Sequence, residues 1–274
     1  MRFIKLSFFL LSIFFLSCNP NNVTIQDSFG KYFTENKVTG SFGIFDNGSG
    51  QFDIYNLTRF RDSAYQPAST FKIFNSLVGL KTGIIENENM IIKWDGKYNI
   101  FPGGDTATDW NQDLTMTQAF KLSAYPYYKE VARRIGKDTM QQWLDSVSYG
   151  NKKISAIDSF WIDNTLKITA DEQLGFVKNL YFGKLPFDKR SQDIVKKVML
   201  QEETTLYKLS YKTGWGFMEN GKSIGWIVGW IEENKHPYFF VLNVEGDKNA
   251  DFFTIRKKIL KDILTQQGFM QGKK

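Results

Sequence analysis

Ser69-Thr70-Phe71-Lys72 sets a hydroxyl and an amine three residues apart, so that on a helix both lie on one face. Such a pair can do nucleophilic acyl chemistry: the serine attacks a carbonyl and the lysine takes its proton, provided the amine is neutral. Phe71, Ile73 and Phe74 surround Lys72 with apolar groups, and burial disfavours the charged form of an amine. Ser69 follows Pro67 at an expected helix start, where free N–H groups and the positive helix end favour a developing oxyanion. The other reading of the same residues is that Ser69 only caps the helix and Lys72 lies along apolar surface with its head in water. A second motif, Lys212-Thr213-Gly214 followed by Trp215-Gly216, ends a strand-like run. Strand alternation puts Lys212 and Gly214 on one side, offering a cation and bare backbone to an anionic substrate. Each motif has a double. Ser28-Phe29-Gly30-Lys31 repeats the first spacing on the exposed side of an expected N-terminal helix. Lys81-Thr82-Gly83 repeats the second at a helix end, where Gly83 suits a cap and Lys81 the negative terminus.

Other chemistries lack the residues they need. With one His and one Cys in 274 residues, a Cys/His zinc site or an intrachain disulfide cannot be assembled, and no metal is expected. His236 sits before Pro237 in a turn-like polar stretch and reads as structural. The formal charge of +6 includes Arg2 and Lys5, which fall in a segment expected to be removed; 33 basic and 29 acidic residues then remain. Lys196-Lys197 and Arg256-Lys257-Lys258 stand beside apolar residues in helical patterns, which suits a solvated face and gives no expectation of nucleic-acid binding.

The elements that must position the two motifs change period along the chain. Residues 1–17, with Arg2, Lys5 and the apolar run Leu6 to Leu16, suit a secretory signal. Leu16-Ser17-Cys18 resembles the lipobox of bacterial lipoproteins, with Phe15 where a smaller aliphatic is usual, which implies lipidation of Cys18 and a periplasmic or membrane-anchored location; the other reading is an ordinary signal peptide with an incidental Cys. Residues 18–24 read as a tether and 25–274 as one catalytic domain. Two apolar runs around Asp46-Asn47-Gly48-Ser49-Gly50 predict a β-hairpin, and Ser69 to Leu80 a buried helix. From about 85 to 200 the pattern is helical, with capping boxes expected at Thr115, Asp138 and Thr169 and Pro126 in a first turn. Three strand-like runs follow, from Leu206 to Glu245, and a helix from Asp251 to Gln267. The expected fold is α+β, an antiparallel sheet made from both chain ends, flanked by helices, with an inserted helical lobe.

Several blocks together carry a resemblance to the class D, oxacillinase-type serine β-lactamases over nearly the whole mature chain. They are Pro67-Ala68-Ser69-Thr70-Phe71-Lys72, Asp113-Leu114-Thr115 leading to Ser123-Ala124, Tyr149-Gly150-Asn151, Phe160-Trp161-Ile162 with Leu166-Lys167-Ile168, and Lys212-Thr213-Gly214 with Gly225 to Trp230. The first and last motifs are shared with class A enzymes and penicillin-binding proteins. Tyr-Gly-Asn and the Phe-Trp block point to class D. The resemblance implies a β-lactamase/transpeptidase-like fold and hydrolysis of penicillins and related antibiotics through a Ser69 acyl-enzyme. It implies that Lys72 reacts with carbon dioxide to give N6-carboxylysine, held by the Trp161 indole N–H, and that no other cofactor is used. Ser123 would relay a proton to the leaving nitrogen, and the N–H groups of Ser69 and Trp215 would form the oxyanion hole. Lys212, Thr213 and Arg256 would bind the substrate carboxylate, with Gly214 lining the cleft. Where the family usually carries Val two residues after the serine of its second motif, this chain has Tyr125, which bears on deacylation and substrate range. A β-lactam-sensing domain and a penicillin-binding D,D-peptidase are the competing functions. Sensors are joined to membrane-spanning helices, and the peptidases carry Ser-x-Asn where Ser123-Ala124-Tyr125 stands here.

Overall fold

The two ends of the chain meet in one seven-stranded sheet, as the changes of period predict. In this computed structural model the described residues are 22–100 and 108–274, so the expected leader 1–17 and Cys18 lie outside them. Strand β1 (Val23–Ile25) pairs in parallel with β3 (Gln51–Tyr55), so the last residues of the segment read as a tether already belong to the sheet. Strand β2 (Thr39–Asp46) joins β3 through the expected hairpin and, on its other side, pairs antiparallel with β9 (His236–Gly246), Phe42 opposite Leu242. Beyond β9 come β8 (Ser223–Glu233), β7 (Tyr207–Phe217) and the edge strand β6 (Leu200–Glu203), giving the order β1-β3-β2-β9-β8-β7-β6. The fold is α+β.

Both faces of the central strands are covered, which is why Ser223 to Glu233 reads as a nearly unbroken apolar run rather than an alternation. On one face, helix α1 (Gly30–Glu35) and the long helix α9 (Phe252–Gln266) pack on Leu209, Tyr211, Ile227 and Leu242. On the other lie helices α3 (Lys72–Lys81) and α7 (Ala170–Tyr181), with Trp226, Val228, Phe239 and Val241 beneath them. Helix α2 (Leu57–Asp62) leads toward α3.

The expected helical stretch is helical mainly from α4 (Met116–Lys121) onward, through α5 (Tyr125–Ile135), α6 (Lys137–Val147) and α8 (Lys189–Met199). Between residues 82 and 115 the described chain instead holds the short pair β4 (Ile91–Ile92) and β5 (Leu114–Thr115) and a 3₁₀ turn. The capping boxes at Thr115 and Thr169 form, with Pro126 in the first turn of α5. Asp138 does not cap. Gly136, at φ 80° and ψ 158°, ends α5 and starts α6 in a single residue, so the helix is under way before Asp138 is reached.

The doubles and the lone histidine stand away from any constellation of reactive groups. Ser28 and Lys31 are exposed around the start of α1. Lys81 faces Asp188 at 3.9 Å, beside Gly83 with its φ of 75°. His236 opens β9, its Nε2 2.8 Å from Asp46 Oδ1, at the end of the sheet where β2 turns into β3. Burial opposes ionisation of Asp46, but hydrogen bonds from His236, Ser49 and Gly48 outweigh it and bring its pKa to about 2.

Candidate active site

The chain enters the site through a strained residue. Ala68, a non-glycine at φ 49°, takes the left-handed conformation that costs about 1–3 kcal/mol, and its N–H donates to the Trp161 carbonyl at 2.9 Å. Residues Ala68–Phe71 then form a 3₁₀ turn before α3 begins at Lys72. A 3₁₀ turn eclipses side chains three residues apart, which aligns Ser69 with Lys72 more closely than an α-helix would. Lys72 Nζ donates to Ser69 Oγ at 2.7 Å, and Pro67, rather than Ser69, occupies the N-cap.

Lys72 is buried and makes no ion pair among the described residues, so desolvation alone lowers its pKa to about 7. Both conditions for a reactive amine are present: neutrality near physiological pH and contact with the hydroxyl it would deprotonate. The reading of Lys72 as a snorkelling surface side chain is excluded by this burial.

A second cation–hydroxyl pair faces the first. Ser123, at φ 57° in the turn between α4 and α5, accepts from Lys212 Nζ at 2.9 Å. The alternation read from the sequence places Lys212 on the α3 side of β7, while Tyr211 and Trp215 point to the α9 side. Burial above all, and then the positive charges of Lys72, Arg256, Lys257 and Lys121, hold the pKa of Lys212 well below that of an ordinary lysine.

Gly214 is what lets β7 come this near. A Cβ there would stand 2.8 Å from the Pro67 carbonyl oxygen and 3.2 Å from Thr70 N. The free edge of β7 therefore runs along the turn that carries Ser69. The carbonyls of Tyr211 and Phe217 accept at that edge from Gln201 and Asn164, at 3.1 and 3.0 Å. Backbone groups two residues apart point the same way along a strand, so the Trp215 N–H between them faces this edge too. The Ser69 N–H, second in the 3₁₀ turn, has no intrahelical acceptor available. Two backbone N–H groups, of Ser69 and Trp215, are thus available at this edge as hydrogen-bond donors.

Arg256 lies in α9 beneath the same strand. It is buried rather than at the surface, its Nη1 donates to the Gly214 carbonyl, and its Nε donates to Phe252 O. Among the described residues it has no carboxylate within ion-pair distance, and desolvation brings its pKa down to about 10. Thr213, half-buried, shares the α9 face by alternation, and its carbonyl accepts from Lys212 at 3.1 Å. Lys212 and Arg256, both buried, stand on the two sides of β7 near Gly214, and their natural complement is an anionic ligand.

Trp161 is fully buried, its ring stacked on Phe71 at 5.4 Å and 18°. Its Nε1 has no hydrogen-bond partner among the described residues. A buried donor left without a partner costs about 1–3 kcal/mol. A buried N–H donor without a partner and a buried amine without a carboxylate among the described residues are what an anionic group on Lys72 would use, so the residues present fit a carboxylated lysine.

Tyr149 is a packing residue, held between Phe71, Phe74 and Phe176. Sequence reasoning missed the glutamines behind the site. Gln66 accepts at its carbonyl from Trp226 Nε1 at 2.9 Å and donates to Phe217 O; Gln173 Nε2 donates to Thr70 Oγ1 at 2.8 Å. Isolated glutamines carry no spacing signal. A cavity of about 340 Å³ lined by Trp94, Trp110, Tyr127 and Arg133 touches none of the candidate site residues.

The model of the penicillin binding protein transpeptidase domain matches residues 21–265. The chain is 38% identical over 270 residues to β-lactamase OXA-48 of Klebsiella pneumoniae, covering 97% of this chain and 98% of that protein. Its fold matches the class D β-lactamase FUS-1 (OXA-85) of Fusobacterium nucleatum subsp. polymorphum with a TM-score of 0.84 at 34% identity, over 90% of this chain and 100% of that one. The C-terminal domain of the Bacillus licheniformis BlaR penicillin-receptor gives a TM-score of 0.83 at 30% identity, over 91% of this chain and 98% of that one.

Proposed function

Since the chain belongs to the class D serine β-lactamases, we propose that it hydrolyses the amide of penicillins and related β-lactams through an acyl-enzyme on Ser69. The observation that carries this reading is the 2.7 Å contact between Ser69 Oγ and a buried Lys72 that makes no ion pair among the described residues. Ser69 Oγ attacks the lactam carbonyl carbon while Lys72 receives its proton. The N–H groups of Ser69 and Trp215 hold the oxyanion as it forms, each such donor contributing on the order of 10²–10³ in rate. Ser123, bonded to Lys212, passes a proton to the departing ring nitrogen, and the C–N bond breaks. Water then attacks the ester, with Lys72 again on the side of the base. Carboxylation of Lys72, for which Trp161 Nε1 is the available donor, supplies an anionic base in place of the amine. Lys212, Thr213 and Arg256 bind the substrate carboxylate beside Gly214.

The test counts product released per protein molecule when a form spanning residues 19–274 meets excess chromogenic β-lactam with bicarbonate present. Many turnovers support the proposal. A burst that stops at one product per molecule supports the sensor reading instead, which the match to the penicillin-receptor domain keeps in play.

Two further outcomes are expected. Only a neutral amine adds carbon dioxide, so with a pKa of about 7 the reactive fraction of Lys72 is high above that pH and shrinks roughly tenfold per unit below it. Activity in carbon dioxide-depleted buffer therefore falls as pH drops through about 7, and added bicarbonate restores it. Steady-state rates with and without bicarbonate check the sign. Arg256→Ala lowers kcat/KM by about 10–100-fold, the range for one charge-assisted hydrogen bond, mainly through KM. Arg256→Lys recovers part of the loss, because an ammonium lacks the planar fork of a guanidinium.

A further inference from the structure

Tyr125 opens helix α5 two residues after Ser123 and begins a stripe at four-residue spacing, Tyr125, Lys129 and Arg133, on one face of that helix. The whole stripe closes on one turn of chain. Tyr125 Oη donates to the Asp158 carbonyl at 3.0 Å. Arg133 Nε and Nη2 donate to Asp158 Oδ2 at 3.0 and 2.6 Å. Lys129 Nζ stands 3.6 Å from the same carboxylate and 5.6 Å from the Tyr125 ring centroid. The turn is itself continuous with Trp161: Ser159 N and Phe160 N both donate to Ala156 O, and Ile162 N donates to Ser159 O at 2.8 Å. The Tyr125 ring also meets the Trp161 indole in a T-shaped arrangement, with centroids 6.1 Å apart at 62°.

Tyr125 thus touches Trp161 twice over, through its ring directly and through its hydroxyl by way of the backbone that carries the indole. Phe71 and Phe160 pack on the indole through ring contacts, which have no directional hydrogen bond. The Tyr125 hydrogen bond is directional and fixes the turn against α5. The Trp161 N–H that it holds in place is the buried donor with no partner among the described residues.

We propose that Tyr125 is a positioning residue for the carboxylated lysine: it latches the Asp158 turn to α5 and so sets how firmly the Trp161 N–H retains the carboxylate on Lys72. The inference rests on the lysine carboxylation proposed above. In that reaction the Nζ lone pair forms a bond to the carbon of carbon dioxide, one C–O π pair moves onto oxygen, and an N–H proton leaves to solvent. A loosened donor shifts this equilibrium back toward the free amine without removing any group that touches substrate.

The experiment titrates the intact protein with ¹³C-bicarbonate and follows the carbamate carbon by NMR, with Lys72→Ala as the control that must lack the resonance. Tyr125→Phe keeps the ring and removes only the hydroxyl. It is expected to need about 2- to 10-fold more bicarbonate for half occupancy, the range one neutral hydrogen bond supports. Its kcat at saturating bicarbonate stays close to that of the unaltered protein, a separation that general structural damage would not produce. Should Tyr125→Phe fail to fold, Arg133→Ala, which frees Asp158 Oδ2 from a half-exposed partner, is expected to shift the titration in the same direction. Equal half-occupancy in the unaltered and altered proteins overturns the latch and leaves carboxylation standing. No resonance in the unaltered protein overturns carboxylation itself.

Discussion

Ser69→Ala reduces β-lactam turnover by on the order of a million-fold, as removing a serine nucleophile does where the remaining groups act only through it. The size follows from the geometry. Lys72 donates to the Ser69 hydroxyl at 2.7 Å and has no other nucleophile to activate, so without that oxygen a bound carbonyl meets nothing that attacks it. Binding survives, because Lys212 and Arg256 are untouched, so the altered protein still retains a β-lactam in equilibrium dialysis. Stopped turnover with retained binding identifies Ser69 as the nucleophile. Turnover above a hundredth of the original rate would place the nucleophile elsewhere.

Lys72→Ala separates the two halves of the reaction. Acylation needs a base once and can proceed slowly to solvent, helped by ring strain in the substrate and by the oxyanion donors. Release of the ester needs the same base again and has no ring strain behind it. General base catalysis contributes about 10²–10⁴-fold per step, so a long-lived acyl-enzyme accumulates and intact mass spectrometry shows the added mass of one substrate molecule. Full turnover by this protein would sink the proposed mechanism.

The Ser69 and Lys72 pair is legible in the sequence because it is local. Three-residue spacing, an apolar surrounding and a preceding proline are all written within eight residues, and the 3₁₀ turn only sharpened what that spacing implies. Lys212 is legible for the same reason, since strand alternation fixes its face once the period is recognised. Ser123, Trp161 and Arg256 are different. Each enters the site through tertiary packing, from a turn, a loop and the far helix, and only the family resemblance singled them out. The separation of true motifs from their doubles came from the elements that hold them, as Lys81 at a helix end and Lys212 on a strand illustrate. The edge strands were invisible. Leu200–Glu203 has three polar residues of four and continues directly from α8, and Val23–Ile25 is three residues long, so neither offers enough alternation to count. Asp138 failed as a cap because a capping box describes side chains, whereas Gly136 had already solved the helix junction with its backbone.

The pairing of β2 with β9 carries a consequence for how the chain reaches this state. Phe42 lies opposite Leu242, and the hairpin that contains Phe42 has no other strong partner on that side until β9 exists. A folding nucleus that needs this seam must close a loop of most of the chain, so the reaction is governed by non-local contact and is slow. Lys212 on β7 and Arg256 on α9 lie late in the chain, so the site is complete only once the strands that carry this seam are in place. Until then the apolar strands are open to pairing with a second chain, and aggregation competes with folding. Refolding yield is therefore expected to fall steeply with protein concentration, and an anionic ligand that bridges Lys212 and Arg256 would draw the chain toward the completed sheet by binding only the finished form.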